Sequence, residues 1–283
     1  MFSHAIVRIP GSNFAEGLTT VDLGIPDFES VRDQHRRYCQ ALQHCGLTVT
    51  TLAADLNHPD STFVEDTAVL ADRVAILTRP GAASREGEVN AIRETICSFF
   101  KTTQNIETPG TLDGGDICEA ENHFFIGRSH RTNEEGARQL AALLRARGYS
   151  SSVIDIGSMT TILHLKSGIS YIGDNTLVVM EEMAEDQRFS EYELISVPAR
   201  ETYAANCVRI NDRVLVASGH PRLAAKLVER GFNPLVLDMS EFQKMDGGLS
   251  CLSLRFNPCP ELHRGLKQQA ADSLRSTKGR EMS

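Results

Sequence analysis

A unit of strand, strand, helix and strand recurs along this chain at a spacing of about 40 to 50 residues, and a fixed period of that length restricts the fold more than any single motif does. In the clearest copy, residues 67–70 form a short apolar run, 71–73 a turn and 74–78 a second run, a β-hairpin pattern. Pro80-Gly81 follows, then a predicted helix with Val89, Ile92, Ile96 and Phe99 on one face, then an extended stretch near Ile106. The next copy has runs at 117–118 and 124–127 about the polar turn Glu121-Asn122. Thr132-Asn133-Glu134-Glu135 then reads as a capping box with Thr132 as the cap. Its helix would bury Ala137, Leu140, Ala141 and Leu144, stop at Gly148 and lead into a strand at 153–156.

A third copy has runs at 169–172 and 176–180 about Gly173-Asp174-Asn175, a weak helix, and 194–197. The fourth has 207–210 and 214–217 about Asn211-Asp212, a helix over 224–230, and 234–237. A fifth starts at 251–256 with no helix after it. Its missing parts stand at the other end of the chain: 5–9, a helix carrying Val31, Tyr38 and Leu42 that ends at Gly46, and 47–52. The last strand is therefore expected to pair with the first. The fold class expected is α/β, a five-fold pseudo-symmetric α/β-propeller of ββαβ units, in which closure removes exposed sheet edges. The reading gives one catalytic domain over 1–256 and a polar tail over 257–283, helical at most about 262–274.

Composition bounds the partners. A formal charge of −8 with no basic cluster argues against nucleic acid and suits a cationic small molecule. Seven cysteines without a Cys-x-x-Cys pair point to a reducing compartment and away from structural zinc. There is no apolar run after a basic start, and no stretch near the roughly 20 apolar residues of a membrane helix, so a soluble cytoplasmic protein without a membrane partner is expected.

The residues at the start of each unit would point toward the centre of such a ring. They are Glu65-Asp66, Asp113-Gly114-Gly115-Asp116, His164, Asn206-Cys207, and Asp246 with Cys251. Singly, each has a plain reading: a packed thiol, a satisfied histidine, turn-making aspartates. Adjacent carboxylates entering an apolar strand, however, are costly to bury without a cation. Cys251 follows Gly247-Gly248 and is the first candidate nucleophile; Cys207, at the equivalent place without a glycine pair, is the second. Arg85 and Arg131 occupy matching loop positions, where two guanidinium groups could clamp a carboxylate. Thiolate, histidine and carboxylate together support nucleophilic catalysis. The surplus of acceptors favours a reacting carbon that carries positive charge, as in a guanidinium, over an ester or amide.

Phe63-Val64-Glu65-Asp66, Leu77-Thr78-Arg79-Pro80-Gly81-Ala82, Thr111-Leu112-Asp113-Gly114-Gly115-Asp116, Arg131-Thr132-Asn133, Leu163-His164-Leu165-Lys166 and Asp246-Gly247-Gly248-Leu249-Ser250-Cys251 resemble the dimethylarginine dimethylaminohydrolases, within the guanidino-group-modifying enzymes. The likeness runs in order from about residue 1 to residue 256. It implies a five-fold α/β-propeller, Cys251 as nucleophile, His164 as acid and then base, and Asp113 as its orienting partner, where some relatives carry glutamate. Glu65, Asp66 and Asp246 would hold the guanidinium, Asp60 and the Leu18 carbonyl the α-amino group, Arg85 and Arg131 the α-carboxylate, and Met245 would line the pocket. A small methylated arginine is the implied substrate, citrulline the product, and arginine metabolism and nitric oxide regulation the context. No cofactor or metal is called for, and a homodimer stays open. Two rivals remain. One is an arginine deiminase or another hydrolase of the same superfamily. The other is a non-enzymatic propeller that senses methylarginines or binds protein. A long glycine-bearing connection, about 11–24, is the expected lid.

Overall fold

The computed structural model describes residues 1–71 and 74–259. Two residues of the predicted turn at 71–73, and the predicted helix about 262–274 with most of the tail, lie outside the described residues. Strand β1 (His4–Arg8) leads through α1 (Phe28–His44) to β2 (Thr48–Leu52). The remaining elements follow the predicted units: β3 (Ala68–Ala71), β4 (Val74–Leu77), α2 (Glu86–Phe99) and β5 (Thr102–Asn105); β6 (Ile117–Ala120), β7 (His123–Arg128), α3 (Glu134–Arg145) and β8 (Ser150–Asp155). Then come β9 (Ile169–Tyr171), β10 (Thr176–Met180) and β11 (Glu193–Val197), followed by β12 (Val208–Ile210), β13 (Arg213–Ala217), α4 (Pro221–Glu229) and β14 (Pro234–Leu237). The short α5 (Ser240–Gln243) precedes β15 (Leu254–Phe256).

Among the described residues these strands make five three-stranded sheets. In each, an antiparallel pair is extended by a parallel strand that returns after the connecting segment. In the sheet built from both ends of the sequence, β15 pairs antiparallel with β1, Phe256 opposite His4 and Leu254 opposite Ile6, while β2 runs parallel to β1. The predicted pairing of last strand with first is thus present. Four apolar cores join the sheets in succession. Ile6 and Leu254 share one with α2 and β4; Ile76 and Ile117 share the next; Phe125, Val178 and Val216 lie in a third; Leu215 and Ala5 in the fourth.

Local chemistry explains the element ends. The Asp27 side chain accepts from the Ser30 amide and caps α1, and Gly46 takes the left-handed backbone that stops it, with φ of 92°. The third unit has only short 3-10 turns where a helix was expected to be weak. One expectation is corrected. Asn133, not Thr132, caps α3: its Oδ1 accepts from the Gly136 amide at 2.8 Å, and Glu135 bonds Arg138 instead of reaching back. The Thr132 hydroxyl is engaged elsewhere, donating to the buried Asp116 carboxylate and accepting from the Asp113 amide.

Candidate active site

Just before the first strand of each unit the chain makes a tight turn, and these turns carry the polar residues. Glu65 and Asp66 lie in Val64–Thr67, Gly114–Asp116 follows Asp113, Leu165–Ser167 follows His164, and Cys251 stands three residues ahead of β15. Asp60, Asp66, Arg85, Arg131, His164, Met245, Asp246 and Cys251, with Leu18, Phe63, Leu163 and Gly247, line one pocket of about 320 Å³. Cys207 is not among them. Its thiol belongs to the third core and lines a different cavity. Burial pushes both Cys207 and Cys251 up to about 12, so ionisation does not separate them; the company of His164 does.

Asp113 is fully buried, and its Oδ2 lies 3.0 Å from His164 Nε2 while its Oδ1 accepts from the Gly81 amide at 2.8 Å. Burial would pull His164 down, but Asp66, Asp116 and Asp113 outweigh it and hold the imidazole at about 9. It is an imidazolium at neutral pH. Burial would raise Asp113, but the His164 bond and charge, with Arg85 and the Gly81 amide, together hold it below its usual range. Behind this pair, Asp116 accepts from the hydroxyls of Ser129 and Thr132 and from the Leu165 amide. The Thr132 hydroxyl also accepts from the Asp113 amide. Burial raises Asp116 to about 6.

The Cys251 turn is held from several sides. Its Sγ accepts from the Gly248 amide at 3.4 Å, Tyr203 Oη donates to the Gly247 carbonyl, and Asn206 Oδ1 accepts from the Ser250 amide. A side chain on Gly247 would strike the Phe63 ring and one on Gly248 the Asn206 amide, so packing requires the glycine pair. Asp246 adopts left-handed backbone with φ of 56°, and its Oδ2 accepts from both the amide and the hydroxyl of Thr20. Both Asp60 oxygens accept from the Leu18 amide, at 3.0 and 3.2 Å. The segment expected to act as a lid is thereby tied to two pocket carboxylates.

Two expected roles, those of Arg85 and Glu65, look different in place. The two arginines are unlike. Arg85 is 4% exposed and committed: Nε and Nη2 reach Glu88, Nη1 reaches Asp66 at 2.6 Å, and Nη2 also reaches the carbonyls of Asp60 and Phe63. Arg131, in contrast, has a buried Nη1 with no hydrogen-bond partner among the described residues; it stands 3.9 Å from Asp113 Oδ2. Glu65 does not line the pocket. Its oxygens go to Lys166, Arg255 and Ser250. Glu88 escaped the sequence reading, although a glutamate at the 88-92-96 spacing of the buried face of α2 was a usable signal. Asp66, Asp113 and His164 also bring ligand-type atoms within 4.8 Å of one another, but protonation of His164 near 9 and the bonds to Arg85, Gly81 and Gly115 account for that closeness.

The model of the family described as N,N dimethylarginine dimethylhydrolase, eukaryotic, matches residues 27–250. A dimethylarginine dimethylaminohydrolase from Pseudomonas aeruginosa is 44% identical over 257 residues, which are 90% of this chain and 100% of that protein. The structure of a cysteine-to-serine variant of the P. aeruginosa enzyme complexed with citrulline superimposes with a TM-score of 0.88 at 43% identity, covering 90% of this chain and 100% of that one. The N-terminal domain of a cyanobacterial arginine dihydrolase shares the fold at 18% identity, with a TM-score of 0.79, 91% of this chain and 98% of that one being covered.

Proposed function

The chain belongs to the dimethylarginine dimethylaminohydrolase family, and from that membership we propose that it hydrolyses Nω,Nω-dimethyl-L-arginine, and the monomethyl compound, to L-citrulline with release of dimethylamine or methylamine. The observation that carries the reading is one pocket holding a thiol, an imidazolium on a buried carboxylate, and the acceptors Asp66 and Asp246.

Burial, with Glu65 and Asp66, keeps the thiol protonated before substrate binds, its pKa standing at about 12. A guanidinium settling between Asp66 and Asp246 offsets that negative charge and sets a cation beside the sulfur, so the thiol gives up its proton to solvent and the thiolate forms as substrate arrives. It attacks the central guanidinium carbon. His164 already carries the proton that the departing amine needs, and its transfer breaks the carbon–nitrogen bond, leaving an S-alkylthiouronium on Cys251. Neutral His164 then takes a proton from water, the hydroxide adds to the same carbon, and collapse expels the thiolate and gives citrulline. Asp113 keeps the imidazole oriented throughout. Arg131, with its unpartnered Nη1, takes the α-carboxylate; Arg85 adds charge from behind and secures Asp66. Asp60 and the Leu18 carbonyl receive the α-amino group.

The fold supports the same reading: the β15–β1 pairing and the succession of shared cores favour a closed five-bladed α/β-propeller forming a single domain over 1–256. Among the described residues no helix is long and apolar enough to cross a membrane, and all seven cysteines are free, which supports a reducing, cytoplasmic setting. The acidic charge supports a small-molecule partner and no nucleic acid.

The deciding assay compares asymmetric dimethylarginine, monomethylarginine, arginine and agmatine side by side. Methylated substrates should be turned over with stoichiometric release of dimethylamine or methylamine, and agmatine, lacking the carboxylate for Arg131, should be poor. Preference for arginine with ammonia release would replace the reading with a deiminase. A second expectation concerns Gly115. A Cβ there would lie 2.9 Å from His164 Cγ and Nδ1 and from Asp66 Oδ1. Gly115→Ala should displace the imidazole and lower kcat on the order of 100-fold, the usual effect of misplacing a catalytic group by about 1 Å. Steady-state kinetics at unchanged thermal midpoint would measure it, and a wild-type kcat would show that the ring is not held against Gly115.

A further inference from the structure

We propose that Glu65 is a positioning residue that seats the nucleophile turn and locks it to the segment carrying His164, and that it is not a ligand of the guanidinium; this rests on the assignment of Cys251 and His164 above. Glu65 and Asp66 are neighbours on one tight turn, yet they face different cavities. Asp66 lines the pocket of Cys251, whereas Glu65 lines a larger one of about 810 Å³ that includes neither Cys251 nor His164.

Both Glu65 oxygens are taken. Oε2 accepts from Ser250 Oγ at 2.6 Å; Oε1 accepts from Arg255 Nη2 at 3.0 Å and pairs with Lys166 Nζ at 2.6 Å. Arg255 Nη1 donates in turn to the Ser250 carbonyl at 2.9 Å, and the Glu65 amide donates to the Cys251 carbonyl at 3.1 Å. Every polar atom of Ser250 is thus fixed, its amide by Asn206 and its hydroxyl and carbonyl by Glu65 and Arg255. Lys166 stands two residues after His164 on the same 3-10 turn. One carboxylate therefore ties together the two segments that bear the nucleophile and the acid. Their separation is the quantity a thiol-to-carbon attack with proton delivery is most sensitive to. Lys166, Ser250 and Arg255 gain a common purpose that the substrate contacts alone do not give them.

Two variants test this. Ser250→Ala removes the hydroxyl, with its bond to Glu65 and the one it accepts from Asn206 Nδ2, and leaves the Glu65, Lys166 and Arg255 charges paired; Glu65→Gln removes the anion. Each should lower kcat on the order of 10- to 100-fold, with KM and the Kd for citrulline held within about twofold, and the double variant should be no slower than the slower single one, since both act through the same link. The rate at which iodoacetamide, a neutral electrophile, alkylates Cys251, read by peptide mass spectrometry, should also change in Ser250→Ala. A rise of roughly tenfold or more in KM or citrulline Kd for Glu65→Gln, with kcat retained, would make Glu65 a substrate ligand and overturn the proposal. So would a folded Ser250→Ala with wild-type kcat and alkylation. Should Glu65→Gln not fold, Ser250→Ala decides alone. Should the wild-type protein fail to turn over methylarginines, the substrate assignment falls by itself and the alkylation comparison still tests Glu65.

Discussion

Cys251→Ser is expected to yield a folded protein that forms citrulline at least about 10⁴-fold more slowly than wild type, the scale on which loss of a nucleophile is felt. The substitution is small, and the turn is held mainly by Asn206, Tyr203 and Glu65 through groups that do not involve the sulfur. Packing alone would therefore leave the protein intact. The loss is chemical. A serine hydroxyl needs a base to attack, and the one nearby imidazole already carries a proton, its pKa held at about 9 chiefly by Asp66, Asp116 and Asp113 against the pull of burial. A thiol can release its proton when a cation arrives; an alcohol, with a far higher pKa, cannot. Citrulline formation at unchanged thermal midpoint is the measurement. Activity within tenfold of wild type would sink the covalent mechanism and return Cys251 to the role of a packed thiol.

The second large effect is on stability. Arg85→Leu should cost about 3–5 kcal/mol, because removing one member of a buried charge network leaves the others without a partner. Arg85 lies at the junction of α2 with the turns that carry Asp60, Phe63 and Asp66, and its loss strands Asp66 and Glu88, both about as buried as the arginine itself. Urea unfolding would read the deficit. Burial already outweighs Arg85 and holds the Glu88 carboxyl above its ordinary value. Without Arg85 the folded-state value rises further above that of the unfolded chain. The folded variant then binds a proton that the unfolded carboxylate does not, so lowering the pH through that range favours folding and narrows the gap to wild type. A deficit below about 1 kcal/mol, the range of an exposed ion pair, would show that the cluster is far better hydrated than its burial indicates.

The sequence was most legible where periodicity and position coincide. Asp66, Asp113, His164 and Cys251 are far apart in the chain, yet each precedes the first strand of a unit by a few residues, and repeat phasing alone brought them together. Side-chain direction was not legible. Two adjacent residues on a 3-10 turn necessarily point to different sides, so the pair Glu65-Asp66 had to split, and nothing in its local pattern says which one meets the substrate. Nor does the sequence distinguish Arg85, in a salt-bridge cage, from Arg131, with a free donor; matching loop positions suggested matching roles. The misplaced cap has a similar origin. Thr132 and Asn133 are both good caps, and the choice is made by the buried Asp116 carboxylate, which accepts from the threonine hydroxyl, and by the Asp113 amide, which donates to it.

The pairing of β15 with β1 also orders events in time. A chain synthesised from its N-terminus presents β1 and β2 early, and the partner of the outer edge of β1 is made only after every strand of the four other sheets. The residues that fill that edge begin three positions after Cys251, so the nucleophile and the closing strand leave the ribosome together. Under the proposed mechanism, nascent chains short of this point would own the acid, its carboxylate partner and the arginines but no means of attack. The proposed nucleophile is supplied by the same short stretch that supplies the strand pairing with β1.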